Sequence, residues 1–152
     1  MNRDELVAAL DGYAAAKQAR DLDATMAMFH EDGTYQSIGF GPVVRGKAAL
    51  AEFFGSLFEA VPDYHGAYEG IAYSDDTAVV WGHWGGTIAG DFLGLGTVPG
   101  RRLEIPVTFV CTFRDGLLVR EVGYFDAATF AEQAGTRLSG LRPRSDAEFA
   151  QV

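Results

Sequence analysis

The chain has 152 residues, 48% of them hydrophobic and 22% charged, with a formal net charge of −9. That length suits one domain able to bury a sizeable core, and no apolar run approaches the roughly 20 residues of a membrane span. Lys and Arg are few and scattered, which excludes the clustered positive charge that phosphate binding needs. Neither nucleic acid nor membrane is therefore an expected partner. Met1-Asn2-Arg3-Asp4-Glu5 leads into helix-like sequence with no apolar signal core. The single cysteine, Cys111, has no internal disulfide partner, so a reducing, cytoplasmic setting is expected. Cys111 itself lies in an apolar strand-like run and reads as a small buried hydrophobe.

From Asp4 to Arg20, apolar residues recur at Leu6, Leu10, Tyr13 and Ala14, a helical spacing. Asp21 restarts the pattern as an expected N-cap, with Met26 and Phe29 on one face. Asp32-Gly33 marks a turn, Thr34 to Ile38 a short strand, and Gly39 to Pro42 a loop. A third helix is expected from Lys47 to Ala60, burying Leu50, Phe53, Phe54, Leu57 and Phe58 and stopping before Pro62.

The second half changes period. Tyr68–Tyr73, Thr77–Ile88, Leu103–Phe113 and Leu117–Phe125 are rich in β-branched and aromatic residues, and Ser74-Asp75-Asp76 and Arg114-Asp115-Gly116 separate them as turns. A last helix is expected over Ala127 to Ala134. From Arg137 the chain turns polar, so the domain is expected over 1–136, with 137–152 as a tail. Helices followed by a strand meander predict an α+β fold. Strand glycines such as Gly82, Gly85 and Gly123 predict strong curvature.

Four stretches resemble the SnoaL-like polyketide cyclases, within the superfamily that shares the nuclear-transport-factor-2 fold. They are Phe29-His30-Glu31-Asp32-Gly33-Thr34-Tyr35 with Arg45-Gly46-Lys47, then Val61-Pro62-Asp63-Tyr64, then Gly86-Thr87-Ile88-Ala89-Gly90-Asp91-Phe92-Leu93-Gly94 with Pro99-Gly100-Arg101, and finally Arg114-Asp115-Gly116, Asp126 and Gln133-Ala134-Gly135. The resemblance implies a cone-shaped, curved, antiparallel or mixed sheet with N-terminal helices packed on its concave face around an apolar pocket. It further implies a small hydrophobic substrate, no cofactor, and a homodimer formed through the sheet. Ile88 stands where the family hairpin carries histidine, and Val122 where tryptophan is usual before the final aspartate. Ketosteroid isomerases and limonene-epoxide hydrolases are more distantly similar. Their essential carboxylates align with Ser37 and Phe109 in the first case, and with Gly123 and Gly85 in the second.

Asp126 is the first candidate base. Tyr124-Phe125-Asp126-Ala127 sets an acid among aromatics, where desolvation raises a carboxyl pKa; the same residue is a good N-cap for the helix from Ala127. Glu121 is the rival acid, since strand alternation sends it and Asp126 to opposite faces. Its other reading is a solvated rim residue. His83, in Trp81-Gly82-His83-Trp84, reads either as a donor to an enolate oxygen or as a core histidine. Tyr35 and Tyr13 offer hydroxyls to a substrate oxygen or fill structural roles. Phe54, Phe58, Trp81, Ile105, Phe109 and Tyr124 are the expected pocket wall. His30, His65 and His83 are dispersed with no His-x-His or Cys-x-x-Cys pair, so no metal site is expected. The favoured activity is cofactor-free acid–base chemistry of the cyclase or isomerase kind on a polyketide-like or terpenoid molecule. The alternatives are a non-catalytic ligand-binding or dimerisation module and an epoxide hydrolase or dehydratase variant.

Overall fold

Helix α1 (Arg3–Ala19) begins in a capping box, in which the Asn2 side chain accepts from the Glu5 N–H and the Glu5 carboxylate accepts from the Asn2 N–H. The computed structural model describes residues 1–41 and 43–141; Pro42, at the end of the expected 39–42 loop, and the expected tail from Arg142 lie outside them. Along α1 the buried residues Leu6, Leu10, Tyr13 and Lys17 form one stripe at helical spacing. Arg20, in the left-handed conformation, ends the helix, and Asp21 caps α2 (Leu22–Ala27) as expected. Helix α3 (Lys47–Ala60) buries Leu50, Phe53, Phe54 and Leu57. Helix α4 (Ala127–Ala134) follows the last strand and stops at Gly135.

Six strands form one open mixed sheet: β1 (Phe29–Ser37), β2 (Val44–Arg45), β3 (His65–Ser74), β4 (Thr77–Thr87), β5 (Arg102–Arg114) and β6 (Leu117–Phe125). Their spatial order is β2-β1-β6-β5-β4-β3. All neighbours are antiparallel except β1 and β6, which run parallel with Tyr35 opposite Glu121 and Ser37 opposite Gly123. The short β2 had no distinct signal in the sequence. Asp115 and Gly116 both take positive φ (52° and 79°) in the two-residue turn joining β5 to β6. The sheet also curls where neighbouring backbones press together. A Cβ on Gly82 would lie 1.9 Å from the Ala67 carbonyl oxygen, so only glycine fits there.

Alternation along β5 fixes the two faces. Leu103, Ile105, Val107, Phe109, Cys111 and Phe113 point inward and are buried. The register carries Trp84, Val80 and Ala78 of β4, and Glu121 and Gly123 of β6, to that inner face. Trp81, His83, Val122 and Tyr124 therefore belong to the outer face. The narrow space between sheet and helices is filled by an aromatic cluster in which Phe40, Phe53, Phe92, Phe125 and Phe130 meet edge to face or tilted. After α4, Leu138–Gly140 makes a 3-10 turn in which Leu138 is exposed, and Leu141 returns to the core, so the stretch from Arg137, expected to be loose, is anchored at Leu141. Among the described residues no helix is long and apolar enough to cross a membrane.

Candidate active site

Lys17 is the eleventh residue past Leu6 on the same face of α1, and this face is covered by the sheet. The helix thus delivers an ammonium into an aromatic interior. Its Nζ lies 4.5 Å from the Tyr13 ring centre and 4.7 Å from that of Phe109. Across the space, β6 delivers Glu121, whose Oε1 accepts from Lys17 Nζ at 3.5 Å. The second carboxylate oxygen, Oε2, accepts from the Tyr13 hydroxyl. The Lys17 and Glu121 side chains are only 7% and 1% exposed. Phe109 reaches its place because β6 has glycine beside it: a Cβ on Gly123 would come within 2.9 Å of the Phe109 ring.

Burial disfavours the charged form of Lys17, but the Glu121 carboxyl group together with the oxygens of Tyr64, Tyr68 and Tyr35 outweighs it and holds the ammonium pKa well above its ordinary value. Burial together with the same carboxylate pushes the Tyr13 phenol far up. Burial likewise raises Tyr35 and Tyr64; the nearby ammonium of Lys17 works in the opposite direction on both. At neutral pH Lys17 is therefore an ammonium, and Tyr13, Tyr35 and Tyr64 are un-ionised phenols that can donate hydrogen bonds.

Two small cavities adjoin this centre. The first, about 50 Å³, lies between α1 and the β3 edge and is lined by residues including Ala14, Lys17, Gln18, Tyr68, Trp84 and Phe109. The second, about 20 Å³, lies deeper and is lined by residues including Tyr35, Ser37, Phe53, Phe54 and Phe92. Lys17, Tyr64, Trp84, Val107 and Phe109 border both. Small-molecule pockets run to about 300–1,000 Å³. The apolar pocket expected for a polyketide-like or terpenoid molecule is thus largely filled by aromatic side chains, and a ligand larger than a few waters must displace some of them.

The candidates from the sequence separate cleanly. Tyr13, Tyr35, Glu121, Phe54 and Phe109 all lie in the interior around Lys17. Ile105 is fully buried on the inner face without bordering either cavity, and Phe58 packs behind the site against Phe54 and Tyr64. Asp126 is a correction: it does not enter the interior. It is exposed beyond the end of β6, where its carboxylate accepts from the Ala128 N–H (3.0 Å) and the Thr129 hydroxyl (2.7 Å) as the N-cap of α4. Those two bonds, Thr129 first, lower its pKa, the opposite of a desolvated base.

His83 borders the outer end of the first cavity, but its imidazole sits among carboxylates, 3.4 Å from Glu69 and 3.9 Å from Glu104. Trp81 and Tyr124 are 42% and 45% exposed on the outer face, so neither walls the interior. Trp81 instead lies flat over Gly70, where any Cβ would collide with the indole. Lys17 was the functional residue not singled out from sequence. Its signal was a lysine continuing the apolar stripe of α1. No group of three or more His, Cys, Asp or Glu able to hold a metal exists among the described residues.

The sequence profile of the SnoaL-like domain family matches residues 10–121. The chain belongs to that family. No curated protein sequence matches significantly. Among solved structures, a protein assigned as a SnoaL-like polyketide cyclase from Jannaschia sp. CCS1 superposes with a TM-score of 0.77 at 19% identity, over 90% of this chain and 99% of that one. An LEH-like epoxide hydrolase from M. tuberculosis gives 0.70 at 20% identity, over 86% and 90%. A protein of ketosteroid isomerase-like fold from Catenulispora acidiphila, in complex with trimethylamine, gives 0.72 at 17%, over 86% and 95%. At these identities the likeness to solved structures is one of fold, and the family's fold serves more than one chemistry.

Proposed function

We propose that the chain is a small enzyme performing acid–base chemistry on a hydrophobic, carbonyl-bearing molecule of polyketide-like or terpenoid type. The observation that carries this reading is the Lys17–Glu121 pair, the one ammonium and the one carboxylate so deeply buried among the described residues, set beside two apolar cavities. A substrate oxygen in the cavity accepts a hydrogen bond from Lys17, and Tyr64 or Tyr35 supplies a second. Glu121 removes the proton from the carbon next to that carbonyl, and the electron pair moves to the oxygen, where the ammonium stabilises it. The shape of the cavity then decides whether the enolate closes a ring or is reprotonated elsewhere. Glu121 stands behind Lys17, so the ligand must part a pair whose 3.5 Å separation is already long for a hydrogen bond. Membership of the SnoaL-like family and neighbours that include polyketide cyclases support the reading.

The test is a mass-spectrometric turnover assay with polyketide methyl esters, β-hydroxy ketones and epoxides. We expect Glu121→Gln to lower turnover by about 10²–10⁴-fold while Asp126→Asn stays at the wild-type rate. Wild-type turnover in Glu121→Gln would exclude Glu121 as the base.

One observation favours a second reading. Glu121 borders neither cavity and both its oxygens are engaged, as in a pocket that binds without reacting. Retention of panel members without product in any variant would establish it. We also propose that the outer face pairs with a second copy, because Trp81 and Tyr124 are exposed there around an open depression bordered by Pro106 and Thr108. The buried, unpaired thiol of Cys111 supports a cytoplasmic setting.

A further inference from the structure

The interior has two sides from which a ligand could arrive. At the end formed by α4 and the loop after β4, aromatic side chains cover the interior. Phe92, on the loop after β4, is 2% exposed and packs against Phe40 and Phe53, while Phe130 of α4 packs on Phe40. The loop holding Phe92 is laced to itself and to its surroundings. Asp91 accepts from the N–H groups of Gly96 (2.7 Å) and Thr97 (3.2 Å), Thr97 donates to Gly90 O, Val98 N–H bonds to Ala134 O, and the Thr136 hydroxyl donates to Leu95 O.

The flank is different. β3 is the edge strand on this side of the sheet, and all of its residues are exposed or half-buried, including those that face α1. The larger cavity reaches the surface there. Its rim is made of the exposed residues Gln18, Gly66, Ala67 and Tyr68, its floor of the buried residues Lys17, Trp84 and Phe109. Across that rim the Gln18 Oε1 accepts from the Gly66 N–H at 2.9 Å, and beyond it, at the corner where α1 ends, the Arg20 guanidinium donates to the Tyr64 carbonyl at 3.1 Å.

We propose that ligands reach Lys17 sideways, through the gap between α1 and the β3 edge, and that Gln18 is the latch across it. The ligand class is a small aromatic molecule bearing an anionic or strongly accepting oxygen, matched to an ammonium set among aromatic rings. Entry breaks the Gln18–Gly66 bond and moves the Tyr68 ring, and it leaves the sheet and the loop after β4 in place. The inference rests on Lys17 as the interior contact and is independent of whether turnover follows.

Anilinonaphthalene sulfonate, an aromatic anion that fluoresces when desolvated, is a suitable probe for stopped-flow binding to the full chain. Lys17→Met is expected to weaken its binding by about tenfold or more. Ala14→Leu, which fills the gap from the helix side, is expected to slow association by about tenfold, and Gln18→Ala to speed it a few-fold. Asp91→Ala, which unties the loop after β4, is expected to leave the rate unchanged. Ala14 and Gln18 act in opposite directions, so a folding defect in one variant cannot reproduce the pattern. Acceleration by Asp91→Ala, wild-type rates in both Ala14→Leu and Gln18→Ala, or dye binding indifferent to Lys17→Met would each overturn the proposal. Failure of the catalytic reading alone would appear as this same kinetic pattern in a protein without turnover.

Discussion

Lys17 and Glu121 are separated by 104 positions in sequence and by 3.5 Å in space, with both side chains withdrawn from solvent. A pair so placed is held by mutual dependence. Either charge alone in that interior would lack compensation.

Removing one partner should therefore be far worse than removing both. Lys17→Met is expected to destabilise by about 3–5 kcal/mol, since it strands a buried carboxylate. The double variant Lys17→Met with Glu121→Gln should recover most of that loss, because the amide still accepts from Tyr13 and no net charge stays buried. Urea unfolding of the three proteins measures it; equal stability of Lys17→Met and wild type would show that the pair is not coupled.

The same centre sets an alkaline limit. Lys17, Tyr13, Tyr35 and Tyr64 all have folded pKa values raised above their ordinary ones. Between the unfolded and folded values the native state holds more protons than the unfolded state, so stability falls as pH rises. The contribution is complete below pH about 10, where the unfolded groups are still protonated, and is lost above it. Tyrosinate absorbance followed with circular dichroism should show these phenols ionising only as the fold is lost. Smooth ionisation of all tyrosines with the fold intact would contradict the burial of this cluster.

Asp126 offers a test of capping against catalysis. Asn caps a helix about as well as Asp, and Ala does not. Asp126→Asn should leave the melting temperature nearly unchanged, and Asp126→Ala should lower it. Neither should alter turnover. A loss of turnover in Asp126→Asn with an unchanged melt would return this residue to the chemistry.

On the outer face, Trp81→Arg or Tyr124→Arg should turn a dimer into a monomer by light scattering at micromolar concentration while leaving the melt of the monomer intact. A wild-type monomer under the same conditions would refute the proposed pairing.

Much of the fold was legible because its signals are local. The apolar stripe of α3, the Asp-Gly turn after Arg114 and the β-branched runs each name an element without knowledge of the rest. The orientation of β4 was not legible, since its alternate residues Val79, Trp81 and His83 on one side and Val80, Gly82 and Trp84 on the other are both apolar enough to face a core. The register with β5 decides it, and Trp81 turns outward over Gly70. Glu121 and Asp126 were both visible as acids, and only the choice of face, fixed by Phe109 opposite Gly123, sends Glu121 inside. Lys17 was obscured by its type. A lysine at a stripe position reads as a helix boundary until an acid is found facing it from a distant strand.

The parallel contact between β1 and β6 bears on how the protein is made. Apart from the two-residue β2 on its other side, residues 29–37 find their neighbour in residues 117–125, so during synthesis a strand from the first quarter of the chain waits for one from the last. Until that strand leaves the ribosome, Lys17 has no counter-ion and β1 presents an unpaired edge. Such long-range closure slows folding and leaves apolar strands open to wrong partners. Nascent chains cut short before residue 117 should therefore be the species most in need of a chaperone.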